Sequence, residues 1–167
     1  AFPGKYTISN IPNLRDTKTM LRLLEIIGCK ISYLDNAIII DTTKCNNPEA
    51  PYDLVKTMRA SFYVLGPLLS RFKYAKVSLP GGCAWGPRPI NFHLEAFKKL
   101  GAKVTLDSGY ILTEGKLKSA KIKFPIPSVG ATGNVIMACV NLKQEVIIEN
   151  ASMEPEIVDL CNFYIIV

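Results

Sequence analysis

A ten-residue segment places a thiol, the chain's only tryptophan and an arginine among glycines and prolines. Residues 80–89 read Pro-Gly-Gly-Cys-Ala-Trp-Gly-Pro-Arg-Pro, so six of the ten are Gly or Pro. Glycines allow a close backbone approach to a ligand and prolines stiffen the two ends, which predicts a hinged lid. A thiol such as Cys83 ionises more easily and becomes reactive near a cation such as Arg88. The alternative is a bystander thiol on a structural loop, with Trp85 as the hydrophobic anchor of that loop.

A second candidate group lies on a helix predicted over residues 51–72, where apolar side chains recur at helical spacing. Lys56, Arg59 and Tyr63 stand off the apolar stripe at i, i+3 and i+7, and we predict that they share one face. This face is either solvated or a cationic wall for a phosphate, since arginine presents a planar fork to phosphate oxygens.

The third candidate is the start of a helix predicted over residues 129–142. The residues 128–132 are Ser-Val-Gly-Ala-Thr, which are small and include two hydroxyls. The free backbone N–H groups at a helix N-terminus attract anions, so this segment is a candidate anion site. The alternative is that Ser128 or Thr132 only caps the helix.

Composition indicates an ordinary folded domain with a basic surface. The chain has 167 residues, of which 49% are hydrophobic and 20% charged, and its sequence shows neither a membrane-spanning apolar run nor a signal peptide. Twenty Lys and Arg against 14 Asp and Glu give a net charge of +6. This charge indicates a solvated basic surface, or a cleft for phosphorylated metabolites or nucleic acid. Scattered lysines without interleaved aromatic residues argue against nucleic acid.

The cysteines and the single histidine argue against a metal site. The chain has five cysteines, no Cys-x-x-Cys pair and one histidine, His93. We therefore predict no bound metal and a cytoplasmic location, where thiols stay reduced. Cys29, Cys139 and Cys161 stand in apolar stretches and are predicted to lie in the core. Cys45 stands in a polar loop and is predicted to be incidental.

The elements that must position these groups follow a repeated plan. Three segments each read as a strand, a loop and an amphipathic helix, and their strands begin near Tyr6, Lys76 and Glu145. The first two helices are predicted to end at Gly28 and Gly101, since glycine readily takes the left-handed conformation past a helix end. A predicted hairpin and a second helix follow each of these endings.

The sequence thus predicts an α/β fold built of β-α-β-β-α-β repeats, each about 70 residues long. The predicted boundaries are 6–75 and 76–144, with a third, interrupted copy at 145–167. Because the third copy stops inside its first helix, we expect the chain to be part of a longer protein.

Four ordered motifs resemble those of the bacterial UDP-N-acetylglucosamine 1-carboxyvinyltransferases, a family of enolpyruvyl transferases. The resemblance covers essentially the whole chain. The motifs are 50–61 (Ala-Pro-Tyr-Asp-Leu-Val-Lys-Thr-Met-Arg-Ala-Ser), 79–84 (Leu-Pro-Gly-Gly-Cys-Ala) with Gly86, Arg88 and Pro89, 128–132, and 149–151 (Glu-Asn-Ala) with 154–159 (Glu-Pro-Glu-Ile-Val-Asp).

The resemblance implies a fold and a reaction. Members of this family have two domains, each an inside-out α/β barrel of three such repeats, and bind ligands between them. The chain resembles two repeats and the start of a third from one domain, and the second domain is absent. The family moves the enolpyruvyl group of phosphoenolpyruvate to the 3-hydroxyl of UDP-N-acetylglucosamine by addition and elimination, without a cofactor, in the first committed step of peptidoglycan synthesis. Since its aspartate base and several arginines for phosphoenolpyruvate lie on the other domain, we expect the isolated chain to be inactive or nearly so.

The resemblance also implies roles for individual residues. Cys83 matches the loop cysteine that acts as the acid towards phosphoenolpyruvate and that fosfomycin alkylates. Arg59 and Arg88 match arginines that meet substrate phosphate or the nucleotide sugar. The other matched residues line the uridine side (Pro89, Ile90, Asn91 and Phe92) or surround the diphosphate (Ser128, Val129 and Gly130).

Two positions depart from some members of the family. Asn91 stands where some have Asp, so a contact to the base would use a donor instead of an acceptor. Ile126 stands where some have Lys, which removes one possible partner of the diphosphate.

Two other functions stay open from the sequence. The sister enzyme that acts on shikimate 3-phosphate shares the fold and the enolpyruvyl donor but lacks the Gly-Gly-Cys lid, so Cys83 argues against it. A non-catalytic anion-binding or nucleic-acid-binding module is suggested only by the net charge of +6, and strongly salt-dependent binding of oligonucleotides would support it.

Overall fold

The backbone alternates strands and helices through residues 1–80 and 90–166, which are the residues that the computed structural model describes. In chain order the elements are β1 (Lys5–Ser9), α1 (Arg15–Ile27), β2 (Lys30–Leu34), β3 (Ala37–Asp41), β4 (Glu49–Ala50), α2 (Tyr52–Val55), a 3₁₀ helix (Arg59–Val64), α3 (Leu65–Phe72), β5 (Tyr74–Ser78), α4 (Asn91–Lys99), β6 (Lys103–Asp107), β7 (Tyr110–Glu114), β8 (Lys121–Lys123), α5 (Val129–Cys139), β9 (Ile147–Glu149) and α6 (Pro155–Ile166).

The described strands form three small sheets that share one pattern. The first has the order β1-β3-β2, the second β4-β5-β7-β6, and the third β8-β9. In the first two sheets, the strand that precedes the first helix of the repeat pairs antiparallel with the second strand of the following hairpin, as β1 does with β3 and β5 with β7. The short strands β4 and β8 pair parallel with β5 and β9, so equivalent elements recur along the chain.

The helix ends and hairpins confirm the predictions made from local sequence. Gly28 follows α1 with φ 98° and Gly101 follows α4 with φ 92°, in the left-handed region that favours glycine. The hairpin β6-β7 turns at Ser108 and Gly109, both with positive φ, which is the geometry of a tight two-residue turn. The hairpin β2-β3 turns at the predicted residues 35–36.

The prediction of a single helix over residues 51–72 is wrong. The segment is divided into α2, the 3₁₀ helix and α3, because Met58 takes an extended conformation (φ −144°, ψ 108°) and its side chain is buried. Pro67 lies in the first turn of α3, where its missing N–H costs nothing. In an α-helix continuing from residue 59, its ring would clash with the carbonyl of Tyr63, so the chain is 3₁₀ up to Val64. The predicted face of Lys56, Arg59 and Tyr63 therefore does not exist as one helix face.

The position of Cys45 also corrects a prediction. Its side chain is buried, and its Sγ lies 2.8 Å from Sγ of Cys29. The loop after β3 folds back onto the end of α1, where the N–H groups of Asn46 and Asn47 donate to the carbonyl of Ile27 at 3.3 and 3.2 Å. These hydrogen bonds place a residue from a polar sequence inside the core.

The other cysteines predicted to lie in the core differ in burial. Cys29 is buried as predicted, whereas Cys139 and Cys161 are only half-buried. Cys139 packs against the edge of the core, and burial raises the pKa of its thiol to about 12.

The core is centred on the close crossing of α3 and α5. A β-carbon on Gly66 would overlap the carbonyl oxygen of Asn134, so only glycine allows the two helices to approach this far. The Gly66 N–H donates to Oδ1 of Asn134 at 2.7 Å. Asn134 is fully buried and also donates Nδ2–H to the carbonyl of Phe62 at 3.1 Å. One side-chain amide thereby joins the 3₁₀ helix, α3 and α5.

No helix within residues 1–80 and 90–166 combines the length and apolarity needed to cross a bilayer.

The strand that opens the second predicted repeat begins at Tyr74, so the predicted boundary between residues 75 and 76 falls inside β5.

Candidate functional site

A cavity of about 550 Å³ lies where three separate parts of the chain meet. The 3₁₀ helix forms one wall, the start of α4 a second, and the start of α5 with the residues just before it a third. Six of the ten predicted site residues line it, namely Arg59, Ile90, Phe92, Ser128, Val129 and Gly130.

The other four predicted site residues are not part of the described wall. Asn91 begins α4, but its side chain is exposed and is not among the residues that line the cavity. Cys83, Arg88 and Pro89 lie outside the described residues, as does Trp85.

A larger depression of about 760 Å³ lies between α1 and the turn of the β2-β3 hairpin. None of the predicted site residues lines it. We therefore place the candidate site in the smaller cavity, where residues from motifs far apart in the sequence converge.

The cationic wall of the cavity contains Arg59 but not Lys56. Arg59 is half-buried as the first residue of the 3₁₀ helix, a position set by the extended Met58 before it. The ammonium of Lys56 instead lies 2.7 Å from the carboxylate of Asp53, with both groups at the surface. Tyr63 lines the cavity, and burial, followed by the charge of Glu156, raises the pKa of its phenol.

At the start of α5 the structure shows the helix cap, which is one of the two alternatives predicted from its sequence. Ser128 caps the helix, because its Oγ accepts the N–H of Ala131 at 3.3 Å, and its carbonyl accepts the N–H of Thr132 at 2.9 Å. Within the described residues, no acceptor bonds the N–H groups of Val129 and Gly130. These two donors and the positive end of the helix dipole are thus available to an anion in the cavity.

The apolar part of the wall is made by aromatic and aliphatic side chains. Phe92 packs against Phe124, with their ring centroids 6.2 Å apart, and Ile90 lies two residues before Phe92, at the N-cap of α4. Ile126 is 60% exposed and stands beside the start of α5. The cavity is therefore apolar along α4 and polar at Arg59 and the start of α5.

His93 lines this site but was not among the residues predicted from the sequence. As the single histidine of the sequence it indicates only the lack of a zinc site, yet it follows directly on the predicted binding stretch 89–92 and lines the cavity. Burial, followed by the nearby charge of Arg59, lowers the pKa of its imidazole to about 4, so it is neutral at pH 7. In the part of the chain that the structure describes, no three His, Cys, Asp or Glu side chains come together as a metal site.

Solved structures place this fold among the enolpyruvyl transferases. The chain matches the crystal structure of the enolpyruvyl transferase NikO from Streptomyces tendae with a TM-score of 0.80 at 19% identity, over 97% of this chain and 39% of that one. It matches an EPSP synthase from Acinetobacter baumannii with a TM-score of 0.70 at 16% identity, over 93% and 37% of the two chains. The predicted fold class is therefore confirmed.

Sequence comparison identifies the family. The sequence profile of EPSP synthase (3-phosphoshikimate 1-carboxyvinyltransferase) matches residues 3–165, and the chain belongs to this family. It is 53% identical over 165 residues to the UDP-N-acetylglucosamine 1-carboxyvinyltransferase of Chlorobium chlorochromatii, covering 97% of this chain. It is 54% identical over 163 residues to the enzyme of the same name from Chloroherpeton thalassium, covering 96% of this chain. The chain spans only 39% and 38% of the length of these two relatives.

Proposed function

We propose that this chain is part of a UDP-N-acetylglucosamine 1-carboxyvinyltransferase and that its cavity holds the nucleotide end of the acceptor substrate. The observation that carries the proposal is the convergence of Arg59, the start of α4 and Ser128–Gly130 on one cavity. The relatives that share 53% and 54% of its residues bear this enzyme's name, which supports the choice of acceptor.

The polar end of the cavity suits a diphosphate. The guanidinium of Arg59 can bond two phosphate oxygens at once. The N–H groups of Val129 and Gly130 can each donate to another oxygen, and the α5 dipole favours the same negative charge. The apolar wall of Ile90 and Phe92 then faces the uridine, with Asn91 and Pro89 assigned to this side by the family resemblance.

The proposed reaction is addition followed by elimination. The 3-hydroxyl of the sugar gives its proton to a base, assigned by the resemblance to an aspartate of the other domain, as its oxygen bonds to C2 of phosphoenolpyruvate. The methylene carbon C3 gains a proton in the same step, which gives a tetrahedral phospholactoyl ketal. The C2–O bond to phosphate then breaks as C3 loses a proton, which restores the double bond and releases inorganic phosphate. The protein must offset the phosphate charge and supply the proton to C3.

Cys83 is proposed as the acid that delivers this proton, and Arg88 as a second cation for the phosphate. Both assignments rest on the family resemblance of residues 79–89. Alkylation by fosfomycin at Cys83 is part of the same proposal.

The remaining parts of the active site are assigned to a second domain of the same protein. The predicted repeats at 6–75, 76–144 and 145–167 would belong to the first domain, and the substrates would bind between the two. The reaction would take place in the cytoplasm as the first committed step of peptidoglycan synthesis, and the five scattered cysteines suit such a reducing compartment.

The test is phosphate release by the intact two-domain protein with phosphoenolpyruvate and either UDP-N-acetylglucosamine or shikimate 3-phosphate. We expect turnover with the nucleotide sugar alone, and its loss in Cys83→Ser but not in the control Cys161→Ser. Turnover with shikimate 3-phosphate would instead establish the sister activity, which the name of the matching family profile keeps as the second candidate.

A further inference from the structure

His93 is a buried side chain at the floor of the candidate cavity. It lies in the first turn of α4 and is 8% exposed. The edge of its ring meets the Phe62 ring at right angles, with centroids 5.1 Å apart and an interplanar angle of 82°. The imidazole is thus held in one orientation between the 3₁₀ helix and α5.

The hydrogen bonds of Asn134 determine which imidazole nitrogen carries the proton. Oδ1 of Asn134 accepts the N–H of Gly66, so the carboxamide must place its Nδ2–H groups towards Phe62 and His93. Nδ2 lies 3.2 Å from Nδ1 of His93. A donor at this distance requires Nδ1 to be an acceptor, and a neutral imidazole then carries its proton on Nε2.

The protonated nitrogen faces the start of α5. A β-carbon built on Gly130 would lie 3.3 Å from both Nε2 and Cε1 of His93, so the outer edge of the ring lies directly against this glycine. Within the described residues, no acceptor bonds Nε2. Its proton therefore lies beside the backbone donors of Val129 and Gly130, at the polar end of the cavity.

We propose that His93 binds the substrate diphosphate, donating its Nε2–H as an uncharged donor to an oxygen held at the start of α5. The inference rests on the proposed function and adds a ligand contact to it. Asn134 has a positioning role, because it fixes the tautomer without reaching the cavity. The uncharged donor adds a directed hydrogen bond beside the charge of Arg59, and it suits a site that must also release its product.

The first test observes the nitrogen directly by NMR. His93 is the only histidine of the 167-residue chain, so ¹⁵N-histidine labelling gives a single imidazole. At pH 7 we expect Nε2 to be protonated and Nδ1 to be bare, and UDP to shift the Nε2–H resonance downfield while uridine leaves it in place. An unprotonated Nε2 in the chain without UDP overturns the inference.

The same titration separates this inference from the proposed function. If UDP shifts the amide signals of Val129 and Gly130 but not the Nε2–H of His93, the histidine contact is wrong and the proposed function stands. If UDP shifts none of these signals at millimolar concentration, both the histidine contact and the placement of the diphosphate in this cavity are overturned, and the proposed reaction is judged separately by phosphate release from the intact protein.

A pair of variants tests the contribution to affinity. His93→Gln can place an amide N–H near the position of Nε2, whereas His93→Leu removes the donor. We expect UDP to bind about 10-fold more weakly to His93→Leu, and within about 3-fold of the parent affinity to His93→Gln. Uridine should bind the parent and both variants equally. Equal UDP affinity in folded His93→Leu, or equal weakening in both variants, contradicts the proposal.

Discussion

The buried imidazole of His93 affects the free energy of unfolding most strongly at acidic pH. Its pKa is lowered to about 4 in the folded chain and is about 6.5 in an unfolded one, so the unfolded state binds the extra proton first as the pH falls. The neutral imidazole therefore makes its full contribution to the free energy of unfolding above pH 6.5, and this contribution is lost as the pH falls from 6.5 to 4. The shift corresponds to a loss on the order of 3 kcal/mol over that window.

We predict that this loss appears in chemical denaturation at pH 7 and pH 4.5. Between pH 7 and pH 4.5, the free energy of unfolding should decrease more in the parent chain than in His93→Gln, which has no imidazole. Carboxylates titrate in both proteins, so the difference between the two curves isolates His93. Parallel curves would show that the imidazole is not buried in its neutral form.

The two arginines proposed to bind substrate lead to a second prediction. In the intact protein, Arg59→Ala and Arg88→Ala should each weaken binding of the nucleotide sugar or phosphate by about 1.5–3 kcal/mol, as expected for hydrogen bonds to charged groups. Lys56→Ala is the matched control, because Lys56 is exposed, pairs with Asp53 and does not line the cavity. Unchanged kinetics in both arginine variants would mean that these side chains are only solvated.

The thiols differ enough to predict an order of alkylation. Burial and the bond to Cys45 raise the pKa of Cys29 to about 12, and burial raises that of Cys139 to about 12, so neither forms the nucleophilic thiolate at neutral pH. We expect iodoacetamide and fosfomycin to label Cys83 first, as measured by peptide mass mapping over time. First labelling at Cys29 or Cys161 would contradict the role proposed for Cys83.

Among the elements, α3 and α5 cross closely at Gly66, and this crossing leads to a prediction about stability. Gly66→Ala should destabilise the chain by about 3 kcal/mol or more, because the new methyl group meets the backbone of Asn134 and cannot be accommodated by a side-chain rotation. The gain in helix propensity, about 1 kcal/mol, is too small to offset this clash.

Gly109→Ala provides the control for this prediction. Its β-carbon would meet nothing within 4 Å, and only the positive φ of 81° opposes it. We expect a cost of about 1–2 kcal/mol. Equal unfolding free energies for the two variants in urea would show that the helices separate easily at Gly66.

The elements predicted correctly are those specified by neighbouring residues. The helices ending at Gly28 and Gly101 and the two hairpins follow from periodicity and glycine, which act locally. The strands β4 and β8 were missed, since two or three residues carry no period and these strands form only by pairing with β5 and β9. The break at Met58 was missed because burial of its side chain, a tertiary effect, overrides the helical pattern.

The residues of the candidate site divide in the same way, into those that local sequence predicts and those that depend on contacts distant in the sequence. Arg59 and Ser128 could be selected from residue type and spacing alone. The role of His93 depends on Asn134, 41 residues away in the sequence, and no local pattern records that contact. Burial of Cys45 likewise depends on hydrogen bonds from its loop to the end of α1.

At the scale of the whole molecule, the candidate cavity is one side of a larger proposed site. We predict that the 167-residue chain alone releases no measurable inorganic phosphate from phosphoenolpyruvate and UDP-N-acetylglucosamine, because the resemblance assigns the aspartate base and several arginines to the other domain. A phosphate assay on the purified chain, with the intact protein as the positive control, tests this. Turnover by the chain alone would show that the described domain holds the complete chemistry.

The carboxamide of Asn134 makes core packing and ligand chemistry inseparable in genetic data. One of its atoms holds Gly66 at the helix crossing, and another orients the imidazole of His93. A survival screen of every substitution at this position would report intolerance without saying whether folding or substrate capture had failed. Only separate readouts of thermal midpoint and nucleotide affinity would sort those alleles into the two kinds.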